Sequence, residues 1–90
     1  MLYMIVETYH PGAAPAIYRR ARDRGRLLPP GVEYVDSWVD LDYSKCFQLM
    51  RTDDRRLIDV WIESWIDLVS FEVIAVRTSA EAAAMIGARR

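Results

Sequence analysis

Two strand-like segments, Tyr34–Asp40 and Lys45–Met50, follow one another with four residues between them, and apolar side chains occur at both alternating sets of positions. Alternate residues of a β-strand face opposite sides of the sheet. A strand with one side in water keeps that side polar, so this pattern predicts that both sides of the pair are covered. Any fold of this chain must therefore supply a layer on each side of a central hairpin.

Patterns on either side of this pair predict the remaining elements. The segment Leu2–Tyr9 is rich in β-branched and aromatic residues and stops at a His-Pro-Gly breaker, which predicts a first strand. Apolar residues spaced three and four apart predict a helix over Ala13–Arg26. The other predicted elements are a helix with an apolar stripe from Leu57 to Trp65, a strand over Leu68–Val76, and a short C-terminal helix that begins with the capping box Thr78–Glu81.

The order β-α-β-β-α-β with an added C-terminal helix predicts an α+β fold of the ferredoxin-like type, with one domain over residues 1–90. In this fold, two helices cover one face of a four-stranded antiparallel sheet and leave the other face bare. A chain of 90 residues is also near the lower limit for a self-sufficient core. Because the bare face would still carry apolar residues, we expect a homodimer in which the sheet faces meet.

Composition narrows the classes of function. The hydrophobic fraction of 52% and the charged fraction of 28% are ordinary for a globular protein, and the net charge of -1 argues against a nucleic-acid partner. The apolar runs are too short to span a membrane, so we expect a cytoplasmic protein with no membrane partner. One cysteine, one histidine and four isolated glycines give neither a metal-ligand pattern nor a phosphate-binding loop, and no cofactor is expected.

The chain also resembles a known family over nearly its whole length. The segments that carry the resemblance are Met1–Glu7, Arg24–Pro29, Tyr34–Trp38, Cys46–Met50, Trp61–Trp65 and Thr78–Glu81. They are similar to a bacterial family of about this length, the domain of unknown function DUF3303. The resemblance implies a fold of the dimeric α/β-barrel superfamily, whose members include cofactor-free monooxygenases, isomerases and ligand-sensing or structural modules. It brings no catalytic residue with it.

The register of the central hairpin decides which side chains share a face. With an odd number of loop residues, the set Tyr34, Asp36 and Trp38 shares a face with Cys46, Gln48 and Met50; with two loop residues, it joins Phe47 and Leu49 instead. We favour the odd loop because it brings the polar groups of Asp36 and Gln48 together. This choice places Val35, Val39, Phe47 and Leu49 in the helix-side core.

The face defined in this way is the candidate site. Asp36 is the candidate general base, since partly apolar surroundings raise the pKa of a carboxyl group. The candidate ligand-binding residues offer a phenol, two indoles, an amide and a thiol: Tyr34, Trp38, Trp61, Gln48 and Cys46. Glu7 and Glu72 are possible additions from the first and last strands. Alternatively, Asp36 and Gln48 hydrogen-bond across the dimer interface and the aromatic side chains fill it.

For each of the other residues with reactive or charged side chains, a functional and a structural interpretation are both open. His10 is the second catalytic candidate because it ends the first strand beside a Pro-Gly turn; the alternative is an exposed loop histidine. Cys46 and Trp61 are also compatible with simple core packing. The arginine-rich stretch Arg19–Arg26 either clamps a phosphate or carboxylate, or forms a solvated helix face.

Two functions of different class follow from these patterns. The first is a homodimeric module that binds a metabolite or has a structural role. The second is a cofactor-independent monooxygenase or isomerase that acts on a small aromatic or carbonyl compound, with Asp36 or His10 moving a proton. An enclosed cavity beside one of these two side chains favours the enzyme, whereas an interior filled with side chains favours the module. The sequence alone leaves this choice open.

Overall fold

The computed structural model describes residues 1–88 and contains the predicted order of strands and helices. The strands are β1 (Leu2–Tyr9), β2 (Val32–Val39), β3 (Lys45–Thr52) and β4 (Val69–Val76), and the helices are α1 (Ala14–Arg24), α2 (Arg56–Glu63) and α3 (Ser79–Ala88). The strands form one antiparallel sheet in the order β2-β3-β1-β4, so β1 and β3 are central. This topology confirms the predicted ferredoxin-like α+β fold.

The core lies between the sheet and the helices α1 and α2. The central strands contribute Ile5 and Met50, which have no exposed surface, and α2 contributes Ile58 and Trp61. Ile17 is the buried residue of α1. One face of the sheet therefore meets the apolar stripes of both helices, as the two-residue and 3.6-residue periods of the sequence predict.

Helix α1 ends two residues earlier than predicted, at Arg24. Gly25 follows it with a φ of 70°, and Leu27 also has a positive φ, of 62°. A glycine adopts this conformation without steric cost, which explains why the helix stops there. Arg26 lies between these two left-handed residues and is turned out of the helical path toward the sheet.

The capping box predicted for the C-terminal helix is present. The hydroxyl of Thr78 accepts a hydrogen bond from the backbone N–H of Glu81 at 3.1 Å, and Oε1 of Glu81 accepts one from the backbone N–H of Thr78 at 3.3 Å. Most side chains of α3 are nevertheless exposed, including the large apolar ones of Met85 and Ile86. The helix is therefore fixed by its own cap more than by packing.

A β-bulge at Val35 changes the register of the hairpin formed by β2 and β3, in which β2 is an edge strand of the sheet. Tyr34 pairs with Met50, but the ladder then shifts and Asp36 pairs with Leu49. One inserted residue moves every following side chain of a strand to the opposite face. Tyr34 and Asp36 therefore lie on different faces, although they are two positions apart.

The pairing between the hairpin loop and the bulge corrects the predicted hairpin faces. Val39 pairs with Cys46, which leaves six residues, 40–45, between the two, so the preference for an odd loop is wrong. Trp38 pairs with Phe47, so Asp36 and Trp38 lie on the face away from α1 and α2, opposite to Gln48. The prediction that Asp36 and Gln48 share a face is wrong. The placement of Phe47 and Leu49 in the helix-side core is also wrong, because β3 directs the alternate residues Cys46, Gln48 and Met50 toward the helices.

The face of the sheet away from α1 and α2, here called the open face, has an apolar middle. Its polar and charged side chains lie at the strand ends and on the edge strands: Thr8, Glu33, Asp36, Lys45, Arg51, Ser70 and Glu72. Its apolar side chains are Leu2, Met4, Val6, Trp38, Phe47, Leu49, Ile74 and Val76. Trp38 and Ile74 are 51% and 40% exposed. The radius of gyration is 14.8 Å, against about 12 Å for a compact domain of this length. The chain is thus less compact than a domain of this length usually is.

Candidate functional site

A small cavity lies between the sheet and the helices α1 and α2. The buried strand residues Glu7, Cys46 and Gln48 form its floor. The walls and mouth are formed by Tyr9, Ile17, Tyr18, Ala21, Arg26, Trp61 and Trp65. The cavity has a volume of about 80 Å³. This is the liquid volume of two or three water molecules, at roughly 30 Å³ each.

Glu7 places a carboxyl group at the floor of this cavity. The residue is only 8% exposed, and its Oε2 is buried without a hydrogen-bond partner among the described residues. Burial raises the pKa of Glu7 to about 7, and the Cys46 thiol and the charge of Arg26 oppose this rise only in part. Near neutral pH, Glu7 is therefore both a proton donor and a proton acceptor.

The other two titratable groups beside Glu7 remain neutral. Cys46 is its cross-strand partner, and burial together with the nearby Glu7 charge raises the pKa of this thiol to about 12. Burial also raises the pKa of Tyr9 far above its ordinary value, with smaller contributions from Cys46 and Tyr18. A thiol of this kind is not a reactive nucleophile. Of Glu7, Cys46 and Tyr9, only Glu7 changes charge near pH 7.

Arg26 is held at the cavity mouth by contacts of its backbone and its side chain. Its carbonyl oxygen accepts hydrogen bonds from Nε1 of Trp61 at 2.9 Å and Nε1 of Trp65 at 3.1 Å. Its Cζ lies 3.7 Å from the centroid of the Tyr34 ring, and its Nη1 donates to Oε1 of Gln48 at 3.0 Å. These contacts fix the plane of the guanidinium, which is then preorganised to bind a planar anion.

Gln48 and Tyr34 act as supports for Arg26. The amide nitrogen of Gln48 donates to the sulfur of Met50 at 3.3 Å, which leaves the amide oxygen directed at Arg26. The hydroxyl of Tyr34 lies 2.7 Å from the hydroxyl of Ser37, within the same strand. The orientation of the guanidinium is thus determined by side chains on β2 and β3.

The structure brings four of the predicted ligand-binding residues to this cavity. Cys46, Gln48 and Trp61 line it, and Tyr34 supports the arginine at its mouth. Trp38 lies elsewhere, on the open face. Asp36, the predicted general base, is also on the open face, where its Oδ1 accepts a hydrogen bond from the backbone N–H of Ser37 at 2.8 Å.

His10 lies in a surface groove beside α2 and β4, apart from the Glu7 cavity. Its Nδ1 is 3.2 Å from the carbonyl oxygen of Asp67, and its Nε2 is 3.2 Å from the hydroxyl of Ser70. The Asp67 carboxylate in turn pairs with Arg20, with Nη2 and Oδ2 2.7 Å apart. These contacts connect the end of β1 to the turn before β4, which is a structural position for His10.

Sequence reasoning gave the two central residues of the site only secondary places: Glu7 as an addition from the first strand, and Arg26 as one member of an arginine-rich stretch that either clamps an anion or is solvated. A signal for Glu7 exists, because it follows Tyr3 and Ile5 at the core-facing positions of an apolar strand. Arg26 lacks such a signal. It sits in an arginine-rich helix end, and the positive φ of Leu27 is a conformation that a leucine does not predict.

The fold and the cavity together define a class: a ferredoxin-like α+β domain with a small polar cavity between its sheet and its helices. The chain belongs to the family described as a domain of unknown function, DUF3303, whose family model matches residues 1–90. No curated protein matches the chain. Within residues 1–88, no helix is both long and apolar enough to cross a membrane.

Two solved structures are similar to this chain. One is the crystal structure of PA3566 from Pseudomonas aeruginosa, with a TM-score of 0.52 and 18% identity over 86% of this chain and 94% of that one. The other is the crystal structure of an antibiotic biosynthesis monooxygenase, with a TM-score of 0.52 and 17% identity over 87% of this chain and 100% of that one. At these identities the likeness establishes the fold alone.

Proposed function

We propose that this protein is a homodimer that binds a small metabolite in the cavity beside Glu7. The proposal is carried by one observation: Oε2 of Glu7 is buried and has no hydrogen-bond partner within residues 1–88. An unpaired buried polar atom costs about 1–3 kcal/mol, and buried polar groups in proteins normally have partners. A ligand in the adjoining cavity supplies the missing partner.

The residues of the site have different roles in this proposal. Glu7 and Arg26 contact the ligand, and Gln48 and Tyr34 hold Arg26 in place. Cys46 forms part of the floor, and Trp61 forms a wall that also anchors the Arg26 backbone. Asp36 and Trp38, first considered for the ligand site, instead belong to the proposed dimer interface, since both lie on the open face.

Catalysis is the second candidate function, and the pKa of Glu7 near 7 favours it. A carboxyl group that titrates at neutral pH is suited to moving a proton. If Glu7 takes a proton from a carbon next to a carbonyl group, the Arg26 cation stabilises the oxyanion that forms. This proton transfer is the chemistry that a cofactor-independent isomerase or monooxygenase acting on a small carbonyl compound requires.

The homodimer is supported by the open face. A contiguous apolar surface on a small protein marks an interaction site, and a twofold axis lets the same surface cover itself. The radius of gyration of 14.8 Å and the exposed apolar side chains of α3 also fit a chain that packs against a second copy. Pairing of the two open faces gives each chain the second layer that its β2–β3 hairpin requires.

Fragment binding followed by ¹⁵N NMR tests the ligand site. Small acidic, neutral and basic compounds are added to the wild-type protein, to Glu7→Gln and to Glu63→Gln, which removes an exposed carboxyl of α2. We expect at least one compound to shift the amide signals of Glu7, Cys46 and Gln48 in the wild type and in Glu63→Gln, and to bind Glu7→Gln more weakly. A library that leaves these signals unchanged contradicts the proposal.

Proton exchange separates catalysis from binding. Compounds that bind and carry hydrogens next to a carbonyl group are incubated with the protein in D₂O, and deuterium incorporation is followed by NMR. Incorporation in the wild type that is lost in Glu7→Gln supports the enzyme. Incorporation no faster than in buffer, for every bound compound, supports the binding module.

A further inference from the structure

We propose that the cavity takes a small organic carboxylate that has a hydroxyl or carbonyl oxygen on the carbon next to the carboxylate group. The carboxylate binds the guanidinium of Arg26, and the neighbouring oxygen faces Oε2 of Glu7. This inference rests on the proposed ligand site and adds the chemical class of the ligand.

The first argument is the unmatched charge of Arg26. Five other arginines of residues 1–88 form ion pairs with carboxylates: Arg20, Arg22, Arg51, Arg55 and Arg56. Arg26 has no such pair in the described part of the chain, and neither have Arg19, Arg24 and Arg77. Of these four, only Arg26 lines the cavity, where its Nη1 donates to the neutral amide oxygen of Gln48. A guanidinium has five N–H donors in a planar fork, which matches the two oxygens of a carboxylate.

The second argument is the position of Glu7 opposite this cation. Both residues line the same cavity, yet they do not form an ion pair, so space remains between them. Oε2 of Glu7 has no partner among the described residues, and the titratable and charged groups that act on the carboxyl are Cys46, Tyr9 and Arg26. A ligand oxygen next to the carboxylate satisfies Oε2, either as an acceptor from protonated Glu7 or as a hydroxyl donor to its anion.

The third argument is size. A volume of about 80 Å³ accommodates a compound of the size of lactate or pyruvate. The walls next to this space include the apolar side chains of Ile17 and Ala21, which suit a methyl group. The size of the cavity and its apolar wall are therefore compatible with a small carboxylate that carries a methyl group.

Calorimetry with three related probes tests the ligand class. L-lactate has both groups, propionate has only the carboxylate, and lactamide has the hydroxyl without the charge. Because each lost contact is a charged or buried hydrogen bond, we expect lactate to bind about tenfold or more tightly than either analogue. Lactamide binding equal to that of lactate overturns the contact with Arg26, and equal propionate binding overturns the contact with Glu7.

Variants of Arg26 test the same contacts from the protein side. Arg26→Met should weaken lactate binding about tenfold or more, whereas Arg24→Met, which removes an exposed arginine of α1, should not change it. Arg26→Lys keeps the charge without the fork and should fall between the two. NMR spectra show whether each variant is folded, and Arg26→Lys remains informative if Arg26→Met is not. Unchanged lactate affinity in a folded Arg26 variant overturns the proposal.

Failure of this inference is distinguishable from failure of the ligand site itself. If neutral or basic fragments shift the Glu7, Cys46 and Gln48 signals while lactate, pyruvate and propionate do not, the ligand class is wrong and the site stands. If no compound of any class shifts those signals, the site and the ligand class both fail.

Discussion

Glu7 is the residue least compatible with its immediate surroundings. It occupies a core-facing position of a central strand, next to Ile5, where an apolar side chain would cost nothing. Burial raises its pKa from 4.5 to about 7, so its charged form is unfavourable in the folded protein. A carboxyl group in such a position lowers stability, and we attribute its presence to the ligand site.

Replacement of Glu7 by glutamine should change how stability depends on pH. The pKa of Glu7 is raised in the folded protein, from 4.5 to about 7, so its protonated form favours folding below pH 4.5 and this stability is lost as the pH rises through 7. The full difference is on the order of 3 kcal/mol. Glutamine does not titrate, so Glu7→Gln should gain stability relative to the wild type between these pH values.

Urea unfolding of both proteins at pH 5 and pH 8, at one protein concentration, measures this effect. Glu63→Gln is the matched control, because it removes an exposed carboxyl of α2. Parallel pH profiles for Glu7→Gln and the wild type would show that Glu7 does not titrate near neutral pH.

The sequence predicts the place of a site residue only where the periodicity of its strand or helix decides which face the residue lies on. Cys46 and Gln48 belong to one face of β3 in any register, and Trp61 lies on the apolar stripe of α2. Asp36 was misplaced because the residue types do not decide whether the hairpin loop is odd or even, and the bulge is what returns Tyr34 to the face of Met50. The contacts that orient Arg26 involve residues far apart in sequence, so no local pattern reveals them.

At the scale of elements, strong periodicity made the strands and helices predictable. The second helix and the capping box of the third are present where the sequence indicates them, and helix bounds differ from prediction by a few residues. The register of β2 against β3 was not predictable in this way. The bulge allows one strand to direct Tyr34 toward the cavity and Trp38 toward the open face.

Among the glycines, Gly31 is the one at which an added Cβ would meet a neighbouring atom most closely. It begins the turn into β2 with a φ of 95°, and an added Cβ would lie 2.8 Å from Cδ1 of Leu57. Gly31→Ala should lower the free energy of unfolding by about 1–2 kcal/mol, mainly through backbone strain. Thermal or urea unfolding measures this loss. Gly87→Ala in α3, where a Cβ meets open space, should cause no comparable loss, and equal stability of both variants would contradict the assignment.

For the whole molecule, the open face predicts the oligomeric state. Leu49 lies on that face beside Met4 and Asp36, and it faces water only if the chain is a monomer. A charge placed there is compatible with a solvated face but is costly in an interface. The two possibilities therefore give opposite expectations for one substitution.

Leu49→Glu should weaken the dimer by about a hundredfold or more, because it buries a charge without a partner. Size-exclusion chromatography with light scattering measures the mass, against 10.4 kDa for one chain. Val60→Glu, on the exposed side of α2, should have the same mass as the wild-type protein. A wild-type protein that is a monomer at micromolar concentration would contradict the proposed dimer.

The three tryptophans lie in two places, the cavity and the open face. Trp61 and Trp65 line the cavity, and Trp38 lies half exposed on the open face. Intrinsic fluorescence can therefore report two separate events without any added label. Burial of Trp38 by a second copy shifts its emission to shorter wavelength, whereas occupancy of the cavity changes the emission of the other two. In a Trp38→Phe variant, the remaining signal becomes a direct titration readout for compounds that enter the cavity.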